Sequence, residues 1–420
     1  MKVLFTTPML EYPPKSGPHL RIDNSIKALN RIADLHILSG VPKFILGRDT
    51  AVTYYKSVSE HFGFLPSVNQ LSGHKWLRRT QKLCRMFTTD DADFLIQYAK
   101  KHQIDVIWFG YGNLSYPLIK KIHQKSGIKS ICDTDSVWSR FIHRELPFIK
   151  EKEEQNRIQR AVKAKELEER NWVRWCDVTL AVSEVDADYY RSISPDANKI
   201  EIFPNAIDMA FYQQPSLPPK PFHQPAVILS GSFGKATSPM NRAADWVLQS
   251  IWPLVLKDIP QAHLYIVGNH SDVSYAHIQH PNITIAGRVP SILPYLQHAN
   301  AAITPLQFES GTRFKILEAG ACHLPMISTT LGAEGLDVKH GEEILLADEA
   351  EDFARQIVYI LNNPEAGKRM AQKCFDFVTK DFSLNALTQH AERILSRFFS
   401  HEDRGFVKSS MSVKKEEVLC

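Results

Sequence analysis

The stretch that decides how this chain folds is Phe308–Leu336, which reads FESGTRFKILEAGACHLPMISTTLGAEGL. It comes after Ala301–Pro305, a short apolar run that predicts a buried parallel strand. Ser310-Gly311-Thr312 then opens a helical pattern whose apolar residues are Phe314, Ile316, Leu317 and Ala321. A strand followed at once by a helix that starts on small polar residues is typical of α/β proteins with parallel sheets.

The predicted start of that helix is suited to phosphate. Its unpaired backbone N–H groups and the positive end of its dipole point at whatever lies in front, and Arg313 adds a fork of donors. Glu318 lies seven residues beyond Gly311, two helical turns, and therefore on nearly the same face. A carboxylate suits the hydroxyls of a ribose or sugar, so the pattern indicates a nucleotide or nucleotide sugar. The alternatives are a salt bridge of Arg313 to Glu309 and a solvated Glu318.

The segment resembles the donor-binding region of GT-B retaining glycosyltransferases, in the large family 4 grouping (glycosyl transferases group 1). That family usually has two glutamates eight positions apart, a Pro-led strand and a Gly-Ala turn. Here Glu318 matches the second glutamate, Pro325–Thr329 the strand and Gly332-Ala333-Glu334 the turn. Two positions depart from the pattern. Ser310 stands where the first glutamate is expected, and His323 stands where a glycine usually caps the helix in a left-handed conformation.

The resemblance implies an α/β fold of GT-B architecture, in which two Rossmann-like domains face a cleft and the C-terminal helix crosses back to the first domain. Alternating strand and helix patterns along the chain agree with parallel sheets. The expected domains are an acceptor-side domain at 1–208, a Pro-rich linker at 209–225, a nucleotide-sugar-binding domain at 226–382, a crossover helix at 383–400 and a disordered tail at 401–420. The predicted strands are Lys2–Thr7, Asp34–Ser39, Val106–Phe109, Lys129–Cys132, Val178–Val182, Ala226–Gly231, His263–Gly268, Ile283–Gly287, Ala301–Thr304 and Met326–Thr329.

Candidate site residues follow from the resemblance and from their places after strands. On the acceptor side, Gly17 with Arg21 fits the position of a Gly-rich loop that follows the first strand in the resembled family. Gly17 lies in the predicted loop 12–19, and Arg21 lies at the start of a helix predicted at about Leu20–Ile32. The predicted catalytic residues are Arg313, Asp133 and Asp135, the last two directly after a strand, where an N-cap role is the alternative. The predicted donor-binding residues are Gly231, Arg288, Ser310, Gly311, Thr312, Arg313, Lys315 and Glu318.

Composition narrows the functional class. The net charge is +4, too small to indicate a nucleic-acid surface. The six cysteines are widely separated, and the 17 histidines form no ligand cluster, so we expect a reducing cytosol and no metal site. The apolar start Val3–Pro8 is too short for a signal peptide, and no stretch approaches the about 20 apolar residues of a spanning helix. Walker, nucleophile-elbow and complete dinucleotide motifs are absent.

A separate hypothesis concerns membranes. His74–Phe87 places five basic residues along one side of a helical projection and apolar residues beside them. A basic amphipathic helix of this kind can lie on anionic lipid, which would make the protein peripheral on the inner face of the membrane. The alternative is an ordinary helix with a solvated basic face.

The sequence therefore predicts a cytoplasmic enzyme that moves a sugar from a nucleoside-diphosphate sugar to an acceptor hydroxyl with retention. The acceptor would be a glycan, a lipid-linked molecule or a small molecule, as in polysaccharide biosynthesis. The nucleotide sugar is a substrate, and neither a cofactor nor a metal is required. Two alternatives stay open: a non-catalytic nucleotide-sugar-binding relative of the same fold, and a sugar-nucleotide 2-epimerase. Sugar, base, acceptor and oligomeric state are left open as well.

Overall fold

The computed structural model describes residues 1–14, 16–69, 90–234 and 237–398. The chain divides into two compact units. Unit 1 comprises Met1–Asn205 and the chain from Leu384 onward, and unit 2 comprises Ala206–Ser383. Each unit is built on one parallel sheet, so the α/β fold with two Rossmann-like domains is confirmed.

The sheet of unit 1 has seven parallel strands in the order β3-β2-β1-β4-β5-β6-β7. Its central strands are buried on both faces, which is why they appear in the sequence as short continuous apolar runs. The strands are β1 Lys2–Thr7, β2 Asp34–Ser39, β3 His61–Phe64, β4 Val106–Gly110, β5 Lys129–Asp133, β6 Val178–Ala181 and β7 Ile200–Ile202.

The helices of unit 1 cover this sheet. They are α1 Gly17–Asn30, α2 Lys43–Leu46, α3 Arg48–Ser57, α4 Pro66–Asn69, α5 Asp91–His102, α6 Tyr116–Lys125, α7 Trp138–Arg144, α8 Lys152–Trp175 and α9 Glu184–Ile193. The prediction that Gly17 lies in a loop was wrong, because α1 begins at Gly17 rather than near Leu20. Pro18 does not prevent this start, since a helix needs no backbone N–H donor in its first turn.

The sheet of unit 2 has six parallel strands in the order β10-β9-β8-β11-β12-β13. The chain therefore runs outward from β8 in one direction and resumes at β11 on the other side of it, as in a doubly wound fold. The strands are β8 Ala226–Ser230, β9 His263–Val267, β10 Ile283–Gly287, β11 Ala301–Thr304, β12 Met326–Ser328 and β13 Leu345–Leu346.

The helices of unit 2 pack in two apolar clusters, one with residues of β8, β9 and β11 and the other with residues of β11 and β12. They are α10 Met209–Tyr212, α11 Pro239–Trp246, α12 Trp252–Asp258, α13 Ser271–Ser274, α14 Leu293–His298, α15 Phe314–Ala321, α16 Ala350–Asn362 and α17 Pro364–Asp381. A π-helical segment, Val247–Ile251, joins α11 to α12.

The last helix, α18 Leu384–Leu395, belongs to unit 1 although it follows unit 2 in the chain. It packs against α1, and Arg31 donates a hydrogen bond of 2.8 Å to the Asn385 side chain. The predicted return of the C-terminal helix to the first domain is therefore confirmed.

The strands predicted from sequence are present with ends within one residue of their expected positions. Three strands were not predicted: β3, β7 and β13. All three are at the edges of their sheets, and they have only four, three and two residues. β3 and β7 are partly exposed and interrupted by Gly63 and Glu201, and β13 has only two residues, so these runs carry too little apolar periodicity to be recognised.

The segment 209–225, expected to be a linker, belongs to unit 2 and begins with helix α10. Tyr212 at the end of that helix is buried, with 3% of its surface exposed. The amphipathic helix expected at 74–87 and the tail expected at 401–420 lie outside the described residues. None of the helices in the described part of the chain combines the length and the apolar composition that a membrane span requires.

Candidate functional site

The predicted donor-binding residues of unit 2 follow three different strands. Gly231 comes directly after β8, Arg288 directly after β10, and the loop 305–313 after β11. Because all six strands are parallel, these positions lie at one edge of the sheet, the carboxyl edge. Ligands of doubly wound sheets bind at this edge where the strand order reverses, which here is between β8 and β11.

Glycines bring three loops of this edge into backbone contact. The Gly231 N–H donates to the Val267 carbonyl at 3.0 Å, and the Gly268 N–H donates to the Gly287 carbonyl at 2.8 Å. Gly268 has a φ of +140°, and a Cβ atom there would lie 1.7 Å from the Gly231 carbonyl oxygen. Only glycine fits at Gly268, so the sequence at this point fixes the close approach of its loop to the loop of Gly231.

The helix after β11 begins later than predicted. Gly311 has a φ of +81°, which is left-handed, and Arg313 is extended with φ −102° and ψ 112°. Neither conformation fits a right-handed helix, so α15 starts at Phe314. The prediction that Ser310-Gly311-Thr312 opens the helix was therefore wrong, and Gly311 does not share a helix face with Glu318.

Arg313 stabilises the loop 305–313 through hydrogen bonds to backbone carbonyls of that loop. Its Nη1 donates to the Ser310 carbonyl at 2.8 Å and to the Gly311 carbonyl at 2.5 Å, and only 6% of the residue is exposed. Ser310 and Thr312 are buried beside it. The sequence predicted a donor fork in the first helical turn, whereas the structure places this guanidinium before the helix and directs Nη1 at the chain itself.

Lys315 and Glu318 lie three residues apart on α15, and both are half-buried. Glu318 Oε1 accepts a hydrogen bond of 2.8 Å from the Tyr212 hydroxyl. Burial raises the pKa of Glu318, and the Tyr212 hydrogen bond and the Lys315 charge oppose that rise. Burial also lowers the pKa of Lys315. A carboxyl and an amine whose pKa values move toward each other are typical of functional sites.

Two further positions bear on the sequence interpretation. Arg288 is exposed at the end of β10, where its guanidinium adds positive charge to the carboxyl edge. His323 has a φ of +50°, so the left-handed cap expected at the family's glycine position is confirmed. Its imidazole stacks on Phe375 with ring centroids 3.9 Å apart.

The unit 1 candidates Arg21 and Asp133 form a buried ion pair. Arg21 Nη2 donates to Asp133 Oδ1 at 2.5 Å, and the two residues are 2% and 0% exposed. Trp108 Nε1 donates to Asp133 Oδ2 at 3.2 Å. Arg21 also donates to the Asn205 side chain and to the Phe203 carbonyl. Both Asp133 oxygens are thus engaged inside the protein, which gives this carboxylate the surroundings of a structural ion pair rather than of a group that meets substrate.

Asp135 has different surroundings. It is half-buried beyond the end of β5, and its Oδ1 accepts hydrogen bonds from Asn113 Nδ2 and, at 3.1 Å, from Trp138 Nε1. Among the described residues, Oδ2 accepts no hydrogen bond. The structure therefore separates two aspartates that the sequence treated alike. Gly17, the other acceptor-side candidate, lies one turn before Arg21 in α1.

Sequence reasoning missed Tyr212, Asn113 and the Trp108 contact. Tyr212 fell in a segment expected to be a linker, and Trp108 was recognised only as part of an apolar strand. Asn113 follows β4 directly after Tyr111-Gly112, and that position after a central strand was the one available signal.

The carboxyl-edge features of unit 2 lie in a part of the chain with recognisable relatives. Residues 225–363 match the model of the family described as glycosyl transferases group 1. A protein of Klebsiella pneumoniae, named as an uncharacterized 44.6 kDa protein in the cps region, is 25% identical over 146 residues. That alignment covers 33% of this chain and 38% of the relative, so the match spans well under half of the relative's length.

Solved structures match over nearly the whole chain. Anabaena HepE, whose structure is a complex with UDP and glucose, aligns with a TM-score of 0.63 at 13% identity, covering 94% of this chain and 100% of that one. The sucrose-phosphate synthase of Thermosynechococcus elongatus aligns with a TM-score of 0.65 at 15% identity, covering 95% and 99%. At such identities the likeness shows the fold, which is GT-B. Residues 225–363 of unit 2 are therefore similar to the glycosyl transferases group 1 family, and the chain has a GT-B fold.

Proposed function

We propose that this protein is a glycosyltransferase that moves a sugar from a nucleoside-diphosphate sugar to an acceptor hydroxyl, with retention of anomeric configuration. The observation that carries the proposal is the carboxyl edge of unit 2. There, backbone loops held by Gly231, Gly268 and Gly287 lie on the same edge as the loop 305–313, and this edge belongs to the region that matches the glycosyltransferase family.

The nucleotide sugar binds this edge through three kinds of group. The glycine loops, which are held together by backbone hydrogen bonds, offer backbone N–H and carbonyl groups to the ligand at this edge. Lys315 and the exposed Arg288 supply positive charge for the diphosphate. Glu318 accepts hydrogen bonds from donor hydroxyls through Oε2, since Oε1 is held by Tyr212. The complex of HepE with UDP and glucose makes UDP the first nucleotide to test.

Arg313 takes a role other than the one expected from sequence. Its Nη1 bonds hold the carbonyls of Ser310 and Gly311, so we assign it to the shape of the loop that faces the diphosphate. Stabilisation of the leaving diphosphate falls to Lys315 and Arg288, aided by the N–H groups that begin α15. With these charges in place, we expect the reaction to need no metal.

Acceptor recognition belongs to unit 1 in this proposal. Asp135 Oδ2 is the carboxylate oxygen that we assign to an acceptor hydroxyl, while Asp133 stays in its ion pair with Arg21. The acceptor oxygen forms its bond to the anomeric carbon on the face from which the phosphate oxygen leaves. The acceptor proton passes to that departing phosphate oxygen, so no covalent enzyme intermediate forms. Polysaccharide, lipid-linked and small hydroxylated acceptors all fit this chemistry.

The proposal is tested by measuring free nucleotide released from UDP-, GDP- and ADP-sugars, each with and without a pool of glycan and lipid-linked acceptors. We expect release that requires acceptor, and a product whose anomeric configuration by NMR equals that of the donor. Glu318→Ala should raise the KM for donor roughly ten- to a hundredfold, because a charged hydrogen bond contributes about 1.5–3 kcal/mol. Glu365→Ala, an exposed glutamate on α17, is the matched control and should not change KM.

Other outcomes would identify the alternatives. Conversion of the sugar nucleotide without acceptor would indicate an epimerase. Thermal stabilisation by a nucleotide sugar with no turnover in any acceptor pool would indicate a non-catalytic binding protein. An inverted product would leave the transferase assignment standing and remove retention.

A further inference from the structure

We infer that Tyr212 is a positioning residue for the donor site, and that its hydroxyl fixes Glu318 in the orientation that receives a donor hydroxyl. The inference rests on the proposed function and adds to it a residue outside the family-matched region 225–363. It starts from one contact, the 2.8 Å hydrogen bond from the Tyr212 hydroxyl to Glu318 Oε1.

Tyr212 is itself held in place from two sides. Its carbonyl accepts a hydrogen bond of 3.0 Å from Gln297 Nε2 on α14 and a contact of 3.9 Å from Cys322 Sγ at the end of α15. The ring is buried in the same apolar cluster as Leu293, Ile316 and Leu317. A side chain fixed in this way can set the orientation of its hydrogen-bond partner, because its own reorientation would cost free energy.

The protonation states suit this role. Burial raises the pKa of Tyr212 well above its usual value, and the nearby Glu318 charge raises it further. The phenol therefore keeps its proton and donates. Burial raises the pKa of Glu318, while the Tyr212 hydrogen bond and the Lys315 charge act in the opposite direction. Tyr212 thus helps to keep Glu318 ionised as an acceptor.

The remaining carboxylate oxygen is the one that matters for the donor. Among the described residues, Tyr212 is the hydrogen-bond donor to Glu318, and its bond occupies Oε1. Oε2 is left to accept from a sugar or ribose hydroxyl. Without the phenol, the carboxylate could turn, and a larger fraction of it would be protonated at a given pH.

The test is Tyr212→Phe, which removes one oxygen atom and keeps the ring in the core. We expect the KM for donor to rise about three- to tenfold, with a smaller change in kcat at saturating donor. We also expect the acidic limb of the kcat/KM profile to move to higher pH, because Glu318 loses a group that favours its ionised form. A role limited to stability would not move that limb.

Tyr275→Phe is the matched control, because Tyr275 is another buried tyrosine of unit 2 whose hydroxyl contacts a carboxylate, Asp245, at 3.1 Å. It should lower the melting temperature and leave the acidic limb at its wild-type position. In a Glu318→Gln background, which lacks the titrating carboxyl, Tyr212→Phe should produce no further shift of the limb.

The inference fails if Tyr212→Phe keeps both the wild-type donor KM and the wild-type acidic limb. It also fails if the shift persists unchanged in the Glu318→Gln background. If the wild-type protein turns over no nucleotide sugar, the proposed function fails instead. The inference is then tested by measuring the Kd for UDP-glucose against pH. The variants are the same: Tyr212→Phe, Tyr275→Phe, Glu318→Gln, and Tyr212→Phe combined with Glu318→Gln. In that measurement, an acidic limb of the Kd profile that Tyr212→Phe leaves unchanged would overturn the inference.

Discussion

The two sheets share the order of their first six strands, with a seventh strand added in unit 1, but their charged residues at the carboxyl edge have different surroundings. In unit 2, Gly268 lets two loops approach each other closely, and Glu318 keeps one carboxylate oxygen unbonded among the described residues. In unit 1, Arg21 and Asp133 occupy the equivalent edge, but they are buried and bonded to each other. A charged residue after a parallel strand is therefore not by itself a site residue. Whether such a residue can contact a ligand depends on whether the neighbouring side chains leave space for one.

Packing explains the difference. In unit 1, the Phe203 and Trp108 rings lie 5.1 Å apart, and the Arg21 guanidinium lies 5.6 Å from the Phe203 ring centroid. These large side chains help to bury the ion pair. At the corresponding edge of unit 2, Gly231, Gly268 and Gly287 contribute no side chain, and the neighbouring residues Ser232 and Arg288 are exposed rather than enclosed.

The largest effect is expected from Gly268→Ala, which puts a side chain into the backbone contact of unit 2. The new Cβ would lie 1.7 Å from the Gly231 carbonyl oxygen at a φ of +140°. We expect unit 2 to lose more than about 4 kcal/mol of unfolding free energy, measured by chemical denaturation. Gly341→Ala is the matched control. Its φ is +80°, its Cβ would meet open space, and it should cost only about 1–2 kcal/mol.

Equal losses of unfolding free energy in Gly268→Ala and Gly341→Ala would contradict this account of the carboxyl edge of unit 2. They would mean that left-handed backbone alone, and not the close approach of loops, sets the requirement for glycine at this edge.

The next largest loss of unfolding free energy is expected from Asp133→Asn, which tests whether the ion pair of Arg21 and Asp133 is structural. The change leaves the Arg21 charge buried beside a neutral amide, and breaking a buried pair in this way costs about 3–5 kcal/mol. Asp135→Asn, two residues along, should cost at most about 1 kcal/mol, because its amide oxygen still accepts from Asn113 and Trp138. Denaturation curves measure the stability of both, and acceptor-dependent turnover measures their activity.

We expect the two variants to differ in their main effect. Asp133→Asn should cause the larger loss of stability, and Asp135→Asn should lower turnover without a comparable loss of stability. Asp133→Asn with wild-type stability and abolished turnover would make Asp133 the catalytic candidate again.

The parts of this molecule that could be predicted from sequence are those encoded in local patterns. Buried central strands such as β8 and β11 stand out as apolar runs, and His323 was expected in a left-handed conformation, which its φ confirms. The start of α15 was misplaced because Ser310-Gly311-Thr312 suits a helix N-terminus by composition, whereas the left-handed Gly311 is set by how the loop packs.

Contacts between distant segments could not be predicted in the same way. The partner of Glu318 is Tyr212, 106 residues earlier, and the partner of Asp133 is Arg21, 112 residues earlier. Local sequence gives the residue type and its place after a strand. Whether the side chain ends up enclosed depends on residues such as Trp108 and Phe203, which only the folded chain brings together.

The most direct test of the central claim, that the nucleotide sugar binds the carboxyl edge of unit 2, is hydrogen–deuterium exchange with and without saturating UDP. We predict slower exchange in 231–234, 268–270, 287–289 and 305–313, and unchanged exchange in the unit 1 loops 8–14, 110–114 and 133–138. Binding protects those amides because the ligand contacts the glycine loops and orders the chain before α15. Protection confined to the unit 1 loops, or UDP binding with no protection at the carboxyl edge of unit 2, would contradict the claim.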